Sequence, residues 1–147
     1  MQKVIVTGGA GFIGSNLVDR LVDDGFDVIV IDNESSECNA EFYCNKDAKY
    51  FKYDIENYDL IEPLFKGVDY VFHLAAESRI QPTMDRPVKA CMTNIIGTCN
   101  ILEASRRNGI KRVIYSSTSS AYGLKNSIPL NERMHRDCLN PYSVTKV

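Results

Sequence analysis

Residues 3–14 read KVIVTGGAGFIG, and this stretch decides the fold. KVIVT (3–7) is a continuous apolar run, as expected of a strand covered on both faces. It breaks into a glycine turn and resumes as a helical pattern, with Ile13, Leu17, Val18, Leu21 and Val22 at helical spacing and Gly25 as a C-terminal stop. Gly8, Gly11 and Gly14 are three apart, while Gly9, Gly11 and Gly14 satisfy GxGxxG. One glycine turns the chain tightly, one admits a pyrophosphate to the backbone, and Gly14 lets the helix pack close to the strand. Free N–H groups at the helix start, around Phe12 and Ile13, then face the phosphates.

A glycine turn followed by a solvated acid would have similar spacing. The strand–turn–helix setting and Asp32 at the end of a second apolar run, DVIVID (27–32), favour a dinucleotide site instead. A carboxylate there accepts hydrogen bonds from an adenosine ribose and repels a 2′-phosphate. No Arg or Lys lies between Asp32 and Lys46, so NAD is favoured over NADP. Asp54-Ile55, by sheet geometry, lies beside the adenine; an ordinary turn-capping Asp reads the same way.

Further along, KYFKYD (49–54) alternates as an edge strand would. Residues 57–66 read as a short helix, DYVFHLA (69–75) as a strand, 85–108 as one long helix ending near Gly109, and KRVIYSS (111–117) as a fifth strand. Alternating strands and helices imply a parallel sheet with right-handed crossovers. The fold class is α/β, a Rossmann-like doubly wound parallel sheet of about five strands, in a single domain spanning 1–147. The irregular piece 33–48 is long enough to hold a short helix or shape a ligand pocket.

The chain has 147 residues and a net charge of −2 from 17 basic and 19 acidic side chains. With no basic stripe and no long apolar segment, neither nucleic acid nor a membrane is an expected partner. The start MQKVIVTGGA carries no secretory h-region. Five cysteines (38, 44, 91, 99 and 138) without CxxC spacing suggest a reduced, cytoplasmic chain, and two histidines offer little for a metal site.

TGGAGFIG, IDN (31–33), YDI (53–55), HLAA (73–76), NIIGT (94–98), YSSTSSAYG (115–123) and PYSVTK (141–146) together resemble, in order, the NAD-dependent epimerase/dehydratase family. These are extended short-chain dehydrogenases/reductases acting on nucleotide sugars. The resemblance implies that Asn33, Leu74, Ala75, Ala76 and Ser116 join the cofactor site, with Asn94 facing it from within the long helix. Asn94 is a mediocre mid-helix residue, and Gly97 costs about 1 kcal/mol against Ala. They mark either a polar task with close backbone approach or a helix packed tightly on the sheet. His73 reads as a satisfied core histidine.

The same resemblance assigns catalysis to Thr118, Tyr142 and Lys146. Tyr142 and Lys146 share a helical face at i and i+4, although this spacing is common on helices. A cation beside the phenol favours a phenolate able to take a proton from a sugar hydroxyl, and Thr118 would hydrogen-bond the same oxygen. Dehydratases of the family carry an acidic pair, or at least a Glu, just after this Thr, and the related decarboxylases generally keep that Glu; here stand Ser119 and Ser120. The expected reaction is therefore a 4-epimerisation of a UDP-sugar, with a reductase or dehydratase as the alternative and a non-catalytic NAD-binding module as the reading of another class. Ser78, where some galactose epimerases place a Lys, leaves the sugar open, and Ser78, Thr118 and Ser119 are the candidate substrate contacts. Family members continue beyond the Tyr-Lys helix to finish the sheet and build a substrate domain. An N-terminal piece is thus expected here, inactive alone, with the helix from Pro141 poorly held. A homodimer would be built on 85–108 and that same helix.

Overall fold

A computed structural model describes residues 1–36, 39 and 41–147. Five strands, β1 (Lys3–Thr7), β2 (Asp27–Ile31), β3 (Lys49–Phe51), β4 (Tyr70–His73) and β5 (Arg112–Tyr115), form one parallel sheet in the order β3-β2-β1-β4-β5. The order reverses between β1 and β4, the switch point outside whose carboxyl ends such sheets bind ligands. Chain contacts divide the molecule into two units, Met1–Ala75 with Ile96–Ser116, and Ala76–Ile95 with Ser117–Val147.

The first unit holds the whole sheet. Val4 pairs with Val28, Ile5 with Ile29 and Val6 with Val30. Because side chains alternate across a strand, the isoleucines share one face and the valines the other. Ile5, Ile29 and Ile31 pack with Ile55, Ile61, Phe65 and Ile101, whereas Val4, Val6, Val28 and Val30 pack with Val18 and Leu21. Helix α1 (Phe12–Asp23) thus covers one face. On the other lie α2 (Tyr58–Ile61), continued as a 3-10 turn over Glu62–Phe65, and α5 (Thr98–Arg107). Helix α1 stops where anticipated: Gly25 takes φ +82° and Phe26 N–H bonds the Leu21 carbonyl. Its core face begins at Gly14, while Ile13 is exposed. Strand β3 is an edge strand, as its alternation indicated. In 33–48 the described residues form no helix or strand, and Glu37, Cys38 and Ala40 lie outside the description.

The long helix predicted over 85–108 needs correction. A separate helix, α3 (Ile80–Asp85), comes first, and the chain breaks at Arg86 (φ −130°, ψ 62°) before α4 (Pro87–Cys91). Pro87 explains the break, since its ring disfavours helical backbone in the preceding residue. A π turn, Met92–Gly97, then joins α4 to α5. In the second unit, α6 (Pro141–Thr145) packs against α3 and α4. A 3-10 turn over Ser119–Tyr122 lies in the same unit.

Candidate functional site

In the first unit, the residues after β1 form a cradle that only glycine fits. Gly8 has φ +71°, donates to the Ile31 carbonyl, and would place a Cβ 2.7 Å from Ala75 N. A Cβ on Gly14 would run into the Gly8 carbonyl oxygen and lie 2.7 Å from Gly9 Cα. Gly11 caps α1 without a side-chain bond, so the first-turn N–H groups of Phe12 and Ile13 keep the unpaired character typical of a helix start. Both side chains are exposed.

Asp32 stands beyond the end of β2 and is tied into the turn. Its Oδ2 accepts the Ala10 N–H at 2.9 Å and its Oδ1 the Glu34 N–H at 2.8 Å. Asn33 donates to Asp54 Oδ2 at 2.8 Å and accepts from Ser35 N–H, while Asp54 Oδ1 accepts from Glu56 N–H. Asp54 therefore steadies the Asp32-Asn33 corner. Ile55 is buried in the isoleucine core, where a Cβ on Gly97 would meet its Cδ1 at 2.6 Å. Gly97 thus serves helix packing.

Leu74 and Ala75 leave β4 through bonds to Thr7, whose carbonyl accepts the Leu74 N–H and whose Oγ1 accepts the Ala75 N–H at 3.2 Å. Thr7 Oγ1 also meets His73 Nδ1 at 2.6 Å, and His73 Nε2 meets Thr98 Oγ1 at 2.9 Å. His73 is 1% exposed and, as its sequence setting suggested, a satisfied core histidine. Ser116, exposed beyond β5, donates its N–H to the His73 carbonyl.

These residues fit a dinucleotide. The cradle excludes any Cβ at Gly8 and Gly14, the first turn of α1 offers N–H groups to a pyrophosphate, and each Asp32 oxygen keeps a lone pair for a ribose hydroxyl.

In the second unit, Asn94 answers the other half of the question posed by its helix. It is 1% exposed; its Oδ1 accepts the Glu77 N–H at 2.8 Å, and its Nδ2 donates to the Glu77 carbonyl and to Thr145 Oγ1. Its task is polar, and it grips the segment after Ala76. Ser78 and Ser119 are exposed. Thr118 caps the 3-10 turn by accepting the Ser120 N–H at 3.1 Å, which leaves the Thr118 proton for another acceptor.

Helix α6 is better held than its shortness suggests. Asn140 and Ser143 form a reciprocal capping box with Pro141 in the first turn, and the Ser117 hydroxyl donates to the Lys146 carbonyl at 2.7 Å. Ser143, Thr145 and Lys146 are buried and Tyr142 half-buried. Burial pushes the Lys146 amine down to about 8, since a buried site disfavours the charged form.

Sequence reasoning left Thr7, Ser117, Thr145 and Asp137 unassigned. The first three lie inside quoted motifs, but hydroxyl partners distant in sequence leave no local signal. Asp137 Oδ2 accepts the Leu124 and Lys125 N–H groups, bracing the loop after Gly123. The described cysteines, Cys44, Cys91, Cys99 and Cys138, are free. Among the described residues, no group of three or more His, Cys, Asp or Glu could hold a metal, and no helix is long and apolar enough to cross a membrane.

A parallel sheet in this order, with a glycine cradle after β1 and an acid after β2, defines a dinucleotide-binding α/β protein of the Rossmann type. A family model, NAD dependent epimerase/dehydratase family, matches residues 4–147, and the chain belongs to that family. It is similar to a putative UDP-glucose 4-epimerase of Methanocaldococcus jannaschii, at 37% identity over 97% of this chain and 47% of that protein. It is also similar to UDP-glucuronic acid decarboxylase 1 of Danio rerio, at 38% identity over 89% of this chain and 31% of that protein. Among solved structures, the UDP-glucose 4-epimerase of Thermotoga maritima with UDP-glucose superimposes with a TM-score of 0.92 at 38% identity, over 99% of this chain and 48% of that one. The chain spans about half the length, or less, of the relatives it matches.

Proposed function

We propose that this chain provides the cofactor-binding and proton-transfer machinery of an NAD-dependent 4-epimerase acting on a UDP-sugar. The observation that carries the reading is the hydroxyl run after β5. Thr118 caps a turn whose next two residues are Ser119 and Ser120, so the run offers a hydroxyl for the sugar oxygen and no carboxyl for eliminating water.

Bound NAD supplies a hydride acceptor that returns the hydride to the sugar. Gly8, Gly11 and Gly14 with the Phe12 and Ile13 N–H groups hold its phosphates, and Asp32 its adenosine ribose. Asn33, Asp54, Ile55, Leu74, Ala75, Ala76, Asn94 and Ser116 shape or support the remainder. Tyr142 takes the proton from the sugar 4-hydroxyl and gives it back after the 4-keto sugar has turned over. Lys146, with its amine at about 8, is still mostly protonated at neutral pH, and its charge favours the phenolate. Thr118 donates to the reacting oxygen, and Ser78 and Ser119 lie on the substrate side. Free cysteines suit a reducing, cytoplasmic setting. Val88, Met92 and Ile95, exposed at intervals of four and three along the helix from Pro87, suit a homodimer contact.

The likeness to UDP-glucuronic acid decarboxylase 1 favours a second reading, oxidation at the same carbon followed by loss of CO₂. The test incubates the protein with NAD and, in separate arms, UDP-glucose and UDP-glucuronate. The epimerase reading expects UDP-galactose with no net consumption of added cofactor. Release of CO₂ or of a 4-keto-6-deoxy product would replace it with a decarboxylase or dehydratase. NAD binding without turnover in any arm is expected equally of an N-terminal piece of the enzyme and of a cofactor-binding module, and separates neither from the other.

A further inference from the structure

We propose that Thr145 is a positioning residue for Tyr142 and Lys146, acting through its hydrogen bond with Asn94. The proposal rests on the catalytic roles given above to that pair. Helix α6 has five residues, too few to be stable by itself, so what ties its last turn decides where its side chains stand. The bonding leaves one arrangement. The Thr145 hydroxyl donates to the Tyr142 carbonyl at 3.0 Å, so toward Asn94 Nδ2, 2.9 Å away, it can only accept. The Asn94 amide is committed in turn, its oxygen to the Glu77 N–H and its nitrogen to the Glu77 carbonyl and Thr145. Both of its N–H donors and one of its two oxygen lone pairs are used, so its orientation is fixed. Asn94 and Thr145 are both buried, at 1% and 6% exposure, where such bonds are least exchanged for water.

The anchor itself is unusual. Asn94 lies in the π turn Met92–Gly97, a widened turn of the kind found at functional sites, and its amide pairs with both polar backbone groups of Glu77 as a neighbouring strand would. One rigid amide therefore holds the segment after β4 and the last turn of α6. The adjacent Ser117–Lys146 carbonyl bond steadies the same turn but touches neither the Tyr142 nor the Thr145 carbonyl position, so it does not replace the Asn94 tie.

The experiment compares Thr145→Val, which keeps the shape and loses the hydroxyl, with Thr145→Ser, which keeps the hydroxyl. The readout is the titration midpoint of the Lys146 amine by NMR of ¹³C-labelled lysine, assigned with Lys146→Met. Freed from Asn94, the last turn admits water to the amine. The midpoint in Thr145→Val then rises from about 8 toward the ordinary lysine value by roughly one unit or more, and Thr145→Ser matches the wild type. Should the Val variant not fold, Thr145→Ala, which only removes atoms, carries the same expectation. A midpoint unmoved in the folded hydroxyl-free variant, whatever its melting temperature, overturns the proposal. Where nucleotide-sugar turnover is measured, kcat falls at least ~10-fold with KM within about twofold, as expected of misplacement rather than lost binding; a change confined to KM overturns it. Release of CO₂ in place of epimerisation would count against the epimerase reading and leave the titration comparison intact.

Discussion

Asp32 and Ala10 are joined by a 2.9 Å hydrogen bond from the Ala10 N–H to Asp32 Oδ2. The carboxylate placed to read a ribose therefore also braces the glycine turn that holds the phosphates. Asp32→Ala removes both functions, and NAD affinity falls at least ~10-fold while stability drops by ~1–2 kcal/mol. Asp32→Asn retains an oxygen able to accept from Ala10 but turns an NH₂ toward the Glu34 N–H, so stability recovers only in part while affinity stays low. Calorimetric titration with NAD alongside thermal unfolding separates the two, and undiminished affinity in Asp32→Ala would remove this residue from the site.

Gly14 and Gly11 separate folding from binding within the same turn. Alanine at 14 overlaps the Gly8 carbonyl and Gly9 Cα, both backbone atoms with nowhere to go, and destabilises by ~1–3 kcal/mol. Gly11 has φ −76°, which alanine adopts readily, and its Cβ would meet the Gly8 oxygen at 3.3 Å, a tight contact but far milder than the overlap at position 14. Gly11→Ala is thus expected to unfold within about 0.5 kcal/mol of the wild type and still to bind NAD several-fold more weakly, because the added methyl stands where the pyrophosphate approaches α1. Equal losses of stability in the two variants would contradict this division.

What could be read from the sequence was whatever short-range patterning dictates. The runs around Val4–Val6 and Val28–Ile31 announced buried parallel strands, and the glycine turn announced the cradle, because each requirement falls on consecutive residues. The break before Pro87 was also written locally, in the proline itself. The π turn was not written locally at all, and the bond its Asn94 makes reaches Glu77, 17 positions earlier. Thr145 and Ser117 were equally opaque, since their partners Asn94 and Lys146 lie 51 and 29 residues away. Asn94 and Gly97, ambiguous as a pair, divide in the structure: one grips Glu77 and the other makes room for Ile55.

That room is tight enough to measure. A Cβ at position 97 would lie 2.6 Å from Ile55 Cδ1 and 2.7 Å from Cγ1, and Ile55 sits in a filled core. Gly97→Ala gains about 1 kcal/mol of helix propensity but forces Ile55 aside at a cost of ~1–3 kcal/mol, so the net effect is destabilising. Ile55→Ala alone opens a cavity worth ~2–5 kcal/mol. Together the two changes should cost less than their sum by ~1 kcal/mol or more, the coupling expected of groups in contact. Strict additivity in urea unfolding would mean that Gly97 is not held by Ile55.

Lys146 gives the fold a pH dependence of predictable sign. Its amine is held near 8 when folded and returns to about 10.4 in the unfolded chain. Between these values the unfolded state binds more protons, so this residue's contribution to stability rises with pH. The penalty of a buried ammonium is fully present below about pH 8 and is relieved as pH climbs through the folded midpoint toward the unfolded one. From pH 7 to pH 10 the gain is roughly 2–3 kcal/mol. Other groups titrate there as well, so the quantity to follow is the difference between wild type and Lys146→Met, an apolar side chain of similar length that carries no such penalty. Urea unfolding across that range should show Lys146→Met more stable than wild type at pH 7 and the margin shrinking as pH rises. A margin that stays constant, or grows, would show that the amine is not desolvated in the folded chain, and would undercut both its tuning by burial and the use of its midpoint to report on Thr145.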